Sequence, residues 1–169
     1  MKKSVYIRPA VVSDAPEIEA VRLYTWKTTY LGLMPEEMLD QRIADIEKRT
    51  EITRQKIADG QPFFAAEYDG QIVGMAVCTP SRNPDYPGDG EIQAIYILKA
   101  FQGLGIGRKL FDFCCEYLRG CGHTEMIVNC LDGNPSAAFY EKMGGQVVGK
   151  RQDPLGDTVI NEIIFRFAI

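Results

Sequence analysis

Between Glu91 and Leu118 the chain passes from a strand-like pattern to a helical one across a cluster of glycines, and this joint constrains everything around it. The β-branched and aromatic run from Ile92 to Ile97 reads as a strand covered on both faces. Ile106, Leu110, Phe113, Cys114 and Tyr117 then recur at helical spacing, with Gly120 placed for a C-terminal cap. The intervening Gln102-Gly103-Leu104-Gly105-Ile106-Gly107-Arg108 sets three glycines in the expected first turn of that helix. Each glycine there costs about 1 kcal/mol relative to Ala, so a function is expected in return. Backbone without Cβ atoms lets a ligand come close, and the N–H groups of a first turn, with the positive end of the helix dipole, suit a phosphate. Arg108 adds a fixed cation.

Spacing separates the glycine-rich phosphate loops. A P-loop needs Gly-Lys-Ser/Thr at its end, where this chain has Arg108, Lys109 and Leu110. The dinucleotide fingerprint needs a third glycine at position 108, which is Arg. What fits is Q-x-x-G-x-G, carried by Gln102, Gly105 and Gly107. This pattern resembles the acyl-CoA signature of the GNAT family of N-acetyltransferases. A second stretch, Asn134 to Gly145 with its Phe139-Tyr140 pair, resembles the family's second motif, and the resemblance extends from Tyr6 to Phe167. A glycine-rich turn that merely packs helix against sheet is the structural alternative.

Composition narrows the class further. A length of 169 residues fits one domain, residues 1–169. No apolar run approaches a membrane span, and Met1-Lys2-Lys3-Ser4-Val5 reads as a lead into a strand rather than a secretion signal, so no membrane partner is expected and the cytoplasm is the expected compartment. With 19 basic against 23 acidic residues, a net charge of −4 and no basic stripe, nucleic acid is not an expected partner; the mild negative field points instead to a cationic substrate. The five cysteines form no C-x-x-C pair and read as reduced, largely buried thiols, and the single histidine, His123, reads as a surface loop residue. No metal site is expected.

Along the chain, Val5 to Arg8 reads as a strand and Asp14-Ala15-Pro16-Glu17 as a capping box opening a helix to Thr29 that buries Ile18 and Val21. A second helix is expected from Pro35 to Asp59, with a break near Lys48 to Thr50. Asp69-Gly70 joins two strands, Pro62 to Tyr68 and Gln71 to Thr79, as a hairpin. The Pro- and Gly-rich stretch from Pro80 to Gly90 excludes regular structure. Glu125 to Cys130 reads as a buried strand, Asn134 as the N-cap of a helix with Pro135 at its first position, and two strands around Asp153 to Asp157 close the chain. The alternation predicts an α/β (α+β) fold with a mixed, mostly antiparallel sheet and one βαβ crossover.

The resemblance implies acetyl-CoA as cosubstrate and an amine as acceptor. It implies a splayed parallel strand pair, with the pantetheine arm alongside Ile95, Tyr96 and Ile97 and the pyrophosphate on the amides of Gly103, Leu104, Gly105, Ile106, Gly107 and Arg108. Asn134 and Ser136 become candidates for contacts with the CoA arm, and Trp26, Tyr30, Gly32 and Pro35 for a wall of the acceptor pocket. An alkylammonium has a pKa of about 10 and must lose a proton before it attacks. Glu91 is the candidate base, with Asp85 and Asp89 as alternatives, the Ile95 N–H a candidate for the oxyanion, and Tyr140 the candidate acid for the leaving thiolate. Direct attack in a ternary complex then requires no enzyme nucleophile. A non-catalytic acyl-CoA-binding module on the same fold is the alternative function, and a homodimer leaves no mark in the sequence.

Overall fold

A computed structural model describes residues 4–169. The reading of Met1, Lys2 and Lys3 as a lead-in therefore falls outside the described residues. The elements are β1 (Val5–Pro9), α1 (Ala15–Thr29), α2 (Glu36–Ala44), α3 (Ile46–Ala58), β2 (Phe63–Tyr68), β3 (Gln71–Pro80), β4 (Gly90–Ile97), α4 (Ile106–Gly120), β5 (Glu125–Leu131), α5 (Ala137–Lys142), β6 (Gln146–Leu155) and β7 (Thr158–Ala168). Strand order is β1-β2-β3-β4-β5-β7-β6, with β4 and β5 parallel and the sheet mostly antiparallel, the mixed α/β class expected. No helix among the described residues is long and apolar enough to cross a membrane. Internal contacts define two units, Met1–Cys78 with Ala94–Cys114, and Thr79–Gln93 with Cys115–Ile169, so the chain of β4 and that of α4 each pass from one unit to the other.

In the first unit, Asp69 and Gly70 take φ of 55° and 80°, the paired positive values of the tight hairpin turn expected between β2 and β3. Ile18 and Val21 of α1 pack with Phe63, Ala65, Ile72, Met75 and Val77 in one apolar cluster. The capping box at Asp14 does not form. Asp14 has helical φ/ψ and makes no side-chain cap bond. Its carboxylate instead accepts from the Val11 N–H at 2.8 Å and from Arg8 Nη1 at 2.6 Å, which together hold its pKa below the usual carboxylate value. An arginine contributed by the neighbouring strand outcompetes a local cap, because a charged bidentate partner is worth more than one amide.

The helix break also lies elsewhere than expected. It falls at Asp45, whose φ/ψ of −90° and 9° end α2 and precede α3. Through the expected breakpoint the helix is continuous, since Arg49 N–H donates to Asp45 O at 2.9 Å and Thr50 Oγ1 to Ile46 O at 2.8 Å. α1 and α3 meet at the buried Glu19, which accepts from Thr53 Oγ1 at 2.6 Å.

In the second unit, β4 and β5 pair over Gly90↔Met126 and Glu91↔Ile127, while β5 pairs with β7 from Glu125↔Ala168 to Leu131↔Glu162. The C-terminal cap of α4 is Gly122, not Gly120. Gly122 has φ of 93°, His123 N–H donates to Leu118 O and Gly122 N–H to Arg119 O, the paired bonds of a left-handed helix stop. Asp153 and Pro154, expected in the last turn, lie within β6 opposite Ile160 and Val159, and the turn contracts to Gly156-Asp157. β6 ends the strand order, and at an edge a proline's missing N–H costs no ladder bond.

Candidate functional site

The glycine segment follows β4 through a single tight turn, Lys99–Phe101. Gln102 Nε2 donates to Ile97 O at 3.0 Å, so the glutamine ties the segment back to the strand end. The helix opens at Ile106, later than the glycine pattern predicts: Gly103 and Gly105 precede it, with φ of 76° and 79°, and Gly107 is the glycine that lies inside the helix. A Cβ on either of the first two would meet nothing within 4 Å, so the backbone angle and not crowding calls for glycine. An L side chain in that conformation costs roughly 1–2 kcal/mol. Positive φ at two alternate residues turns the chain into α4, whose first N–H groups have no partner within the helix. Leu104 is exposed and Ile106 buried, so the segment is anchored on one side only. Arg108 is exposed and lies 3.9 Å from Asp112.

β4 is fully buried at Gly90–Ile92 but only half-buried from Ala94 to Ile97, so the expected covering on both faces holds for its first part. Tyr96 Oη accepts from Trp26 Nε1 at 3.1 Å, and Trp26 meets Tyr30 edge to face at 4.7 Å. The expected acceptor-wall aromatics are thus joined directly to β4. Arg42, which sequence reasoning did not single out, lies with its guanidinium 3.3 Å from the Trp26 ring centroid. Burial, and then the charge of Arg49 and Arg22, push its pKa down to about 10. No periodicity signals Arg42, because its position in the fold depends on an indole sixteen residues upstream.

In the second unit, Glu91 is 1% exposed and not the accessible strand-end carboxylate its position suggests. Oε1 accepts from Arg82 Nη2 at 2.6 Å and Asn129 Nδ2 at 3.4 Å; Oε2 accepts from Arg82 N–H at 2.9 Å and Arg82 Nε at 3.3 Å. The pair raises the Arg82 pKa. Arg82 stands on the irregular Ser81–Asp89 loop, where no pattern marks it. Of the alternative bases, Asp85 is exposed and Asp89 is buried against Arg166 at 2.7 Å. Glu162 on β7 is a further carboxyl that sequence reasoning missed; burial pushes its pKa up, while Arg151 at 2.9 Å opposes.

Asn134 Oδ1 accepts the Ser136 N–H at 2.8 Å and Asn134 O accepts the Ala137 N–H at 3.1 Å. The N-cap of α5 is therefore Ser136 and not Asn134, because α5 opens at Ala137, two residues later than Pro135 suggests, and Asn134 closes the turn that leads into it. Tyr140 is 7% exposed and packs 5.5 Å from Phe139 and 5.5 Å from Phe165. All five cysteines are free, four of them buried, and burial raises the Cys130 thiol to about 11, which suits structural and not nucleophilic roles. The named site residues thus divide: Ile95 to Ile97 and Gln102 to Arg108 fall in the first unit, Glu91, Asn134, Ser136 and Tyr140 in the second.

Residues 20–145 match the model of the acetyltransferase (GNAT) family. The chain is 28% identical over 159 residues to the uncharacterized N-acetyltransferase YuaI of Bacillus subtilis (strain 168), covering 94% of this chain and 90% of that one. Its fold is similar to that of the PaiA N-acetyltransferase from Thermoplasma acidophilum in complex with coenzyme A, with a TM-score of 0.76, 19% identity and coverage of 98% and 99%. It is likewise similar to YncA from Salmonella typhimurium with its cofactor acetyl-CoA, at a TM-score of 0.69, 20% identity and coverage of 97% and 93%.

Proposed function

The chain belongs to the acetyltransferase (GNAT) family, and we propose that it transfers the acetyl group of acetyl-CoA to a primary amine of a small molecule or peptide by direct attack in a ternary complex. It is an acetyl-CoA-dependent acyltransferase by family, with residues 1–169 read as one catalytic domain. The observation that carries the finer reading is the pair of left-handed glycines, Gly103 and Gly105, set directly before the amides that open α4. In this reading those amides, with Arg108, take the pyrophosphate, and the backbone of Ile95, Tyr96 and Ile97 pairs with the pantetheine arm. Asn134 Oδ1 is engaged with Ser136 N–H, so a contact from Asn134 to the CoA arm runs through Nδ2.

Transfer needs a neutral amine, a held oxyanion and a proton for sulfur. The amine nitrogen bonds to the thioester carbon, the Ile95 N–H holds the oxyanion, and the C–S bond then breaks. Tyr140 gives its phenolic proton to the departing thiolate, and the proton lost by the amine passes to a base. Glu91 is that base in our reading, but a carboxylate has about four lone-pair sites and all four are engaged by Arg82 and Asn129. Glu91 accepts a proton only as Arg82, whose side chain is 55% exposed, moves off it. The upward-shifted carboxyl of Glu162 favours a second assignment, in which Glu162 takes the proton.

Calorimetric titration with acetyl-CoA, followed by free-thiol release across an amine panel, tests the reading. Binding with amine-dependent thiol release is expected. Absence of acetyl-CoA binding refutes the reading outright, and binding without release under any amine makes the protein an acyl-CoA-binding module, the outcome favoured by the fully engaged Glu91 carboxylate.

A further inference from the structure

We infer that the amine acceptor also carries an acid group, as an α-amino acid does, and that Arg42 binds its carboxylate. This rests on the proposed acetyl transfer to an amine and names the class of that amine.

Two arginines of the first unit, Arg22 and Arg49, pair with one carboxylate, Glu19, and a third, Arg42, lies within electrostatic reach of all three groups. Glu19 is 1% exposed; Oε1 accepts from Thr53 Oγ1 at 2.6 Å and pairs with Arg22 Nη1 at 3.0 Å, and Oε2 lies 3.6 Å from Arg49 Nε. Two of the three cations therefore share one anion. Arg42 has no ion pair among the described residues and stacks on Trp26. Arg22 Nε is buried without a hydrogen-bond partner. Three positive charges facing one negative charge, half-buried, is a costly arrangement in any protein, and here it occurs in a chain whose net charge is −4. Burial first, and then the charges of Arg49 and Arg22, lower the Arg42 pKa.

A carboxylate completes this arrangement. The guanidinium offers two parallel N–H groups that match a carboxylate's two oxygens, and its flat face is already fixed by the indole. Position decides what else the ligand carries. Trp26, under Arg42, donates to Tyr96 Oη, and Tyr96 lies between Ile95 and Ile97, the stretch assigned to the acetyl-CoA arm. An acid held on Arg42 thus lies one indole and one phenol from that strand. An amine carried on the same small molecule as that acid, as in an amino acid, is thereby directed to the side of the indole that is joined to β4. The local field overrides the net charge, which on its own pointed to a cationic acceptor.

The test measures two things on the full chain with CoA present: binding of the twenty α-amino acids and of their carboxamides by calorimetry, and thiol release from acetyl-CoA with the same compounds. At least one acid is expected to bind at least tenfold more tightly than its carboxamide, and Arg42→Gln to weaken that acid tenfold or more while acetyl-CoA affinity is retained. Equal binding of acid and carboxamide, no binding of any acid, or an Arg42→Gln protein that binds acids like the parent overturns the inference. Discriminating acid binding without thiol release would leave the Arg42 carboxylate site standing and refute the catalytic reading, and with it the acceptor role of the bound acid. Thiol release with uncharged amines and polyamines alone would do the reverse.

Discussion

Arg82 encloses the Glu91 carboxylate, with Nη2 2.6 Å from Oε1, and its own backbone N–H 2.9 Å and Nε 3.3 Å from Oε2. One residue thus anchors both a loop backbone and a buried charge. Arg82→Ala leaves Glu91 buried without its cation but with the backbone N–H and Asn129 bonds, and because the Arg82 side chain is 55% exposed the expected cost is about 1–3 kcal/mol. Glu91→Gln removes the charge and keeps the shape, and is expected to cost less. Urea unfolding of the two variants checks this order; equal stabilities would mean that the pair is not coupled.

Gly105 separates backbone strain from ligand exclusion. Gly105→Ala finds open space but a positive φ, and is expected to cost about 1–2 kcal/mol in thermal or urea unfolding. Gly105→Glu adds a negative charge where the pyrophosphate is proposed to sit, and is expected to abolish acetyl-CoA binding in calorimetry. Undiminished affinity of the glutamate variant would remove this segment from the site.

Tyr140→Phe retains the ring that packs between Phe139 and Phe165. Turnover is expected to fall by about 10²-fold, the lower end for a lost general acid, with acetyl-CoA affinity near the parent value. Unchanged turnover would return Tyr140 to a packing role.

The two carboxyls proposed as base differ in what they do to the pH profile. A base must be deprotonated, so kcat/KM rises as pH rises through its pKa. If Glu162 serves, that limb is shifted upward from the ordinary glutamate value because burial raises its pKa, and Glu162→Gln abolishes it. If Glu91 serves, Glu91→Gln removes the limb and Glu162→Gln leaves it.

Acid stability reports on Asp14. Its folded-state pKa is lowered, chiefly by the Arg8 hydrogen bond, so the stabilisation is present above the unfolded-state value and is lost as pH falls through the folded-state one. Asp14→Asn is expected to cost about 2 kcal/mol at pH 7 and to flatten the loss of stability as pH falls below the ordinary aspartate value. A variant whose denaturation curve keeps the parent's pH dependence would assign that dependence to other carboxylates.

What the sequence by itself determined is local. The Asp69-Gly70 turn, the extent of α1, the irregular Ser81–Asp89 loop and the Gln102–Gly107 pattern follow from backbone sterics and periodicity acting over a few residues, and these were enough to indicate the family. The glycine pattern marked the joint between strand and helix but set the helix start too early, since φ at Gly103 and Gly105 is decided by how the chain turns from strand to helix. Tertiary structure alone decided which charges meet: Asp14 turns to Arg8 and not to its own helix, Glu91 is enclosed by Arg82, and Arg42 lies on Trp26. Long polar side chains reach partners over distances that only packing sets, so nothing in the spacing of the letters could distinguish an exposed carboxylate from a buried, fully hydrogen-bonded one.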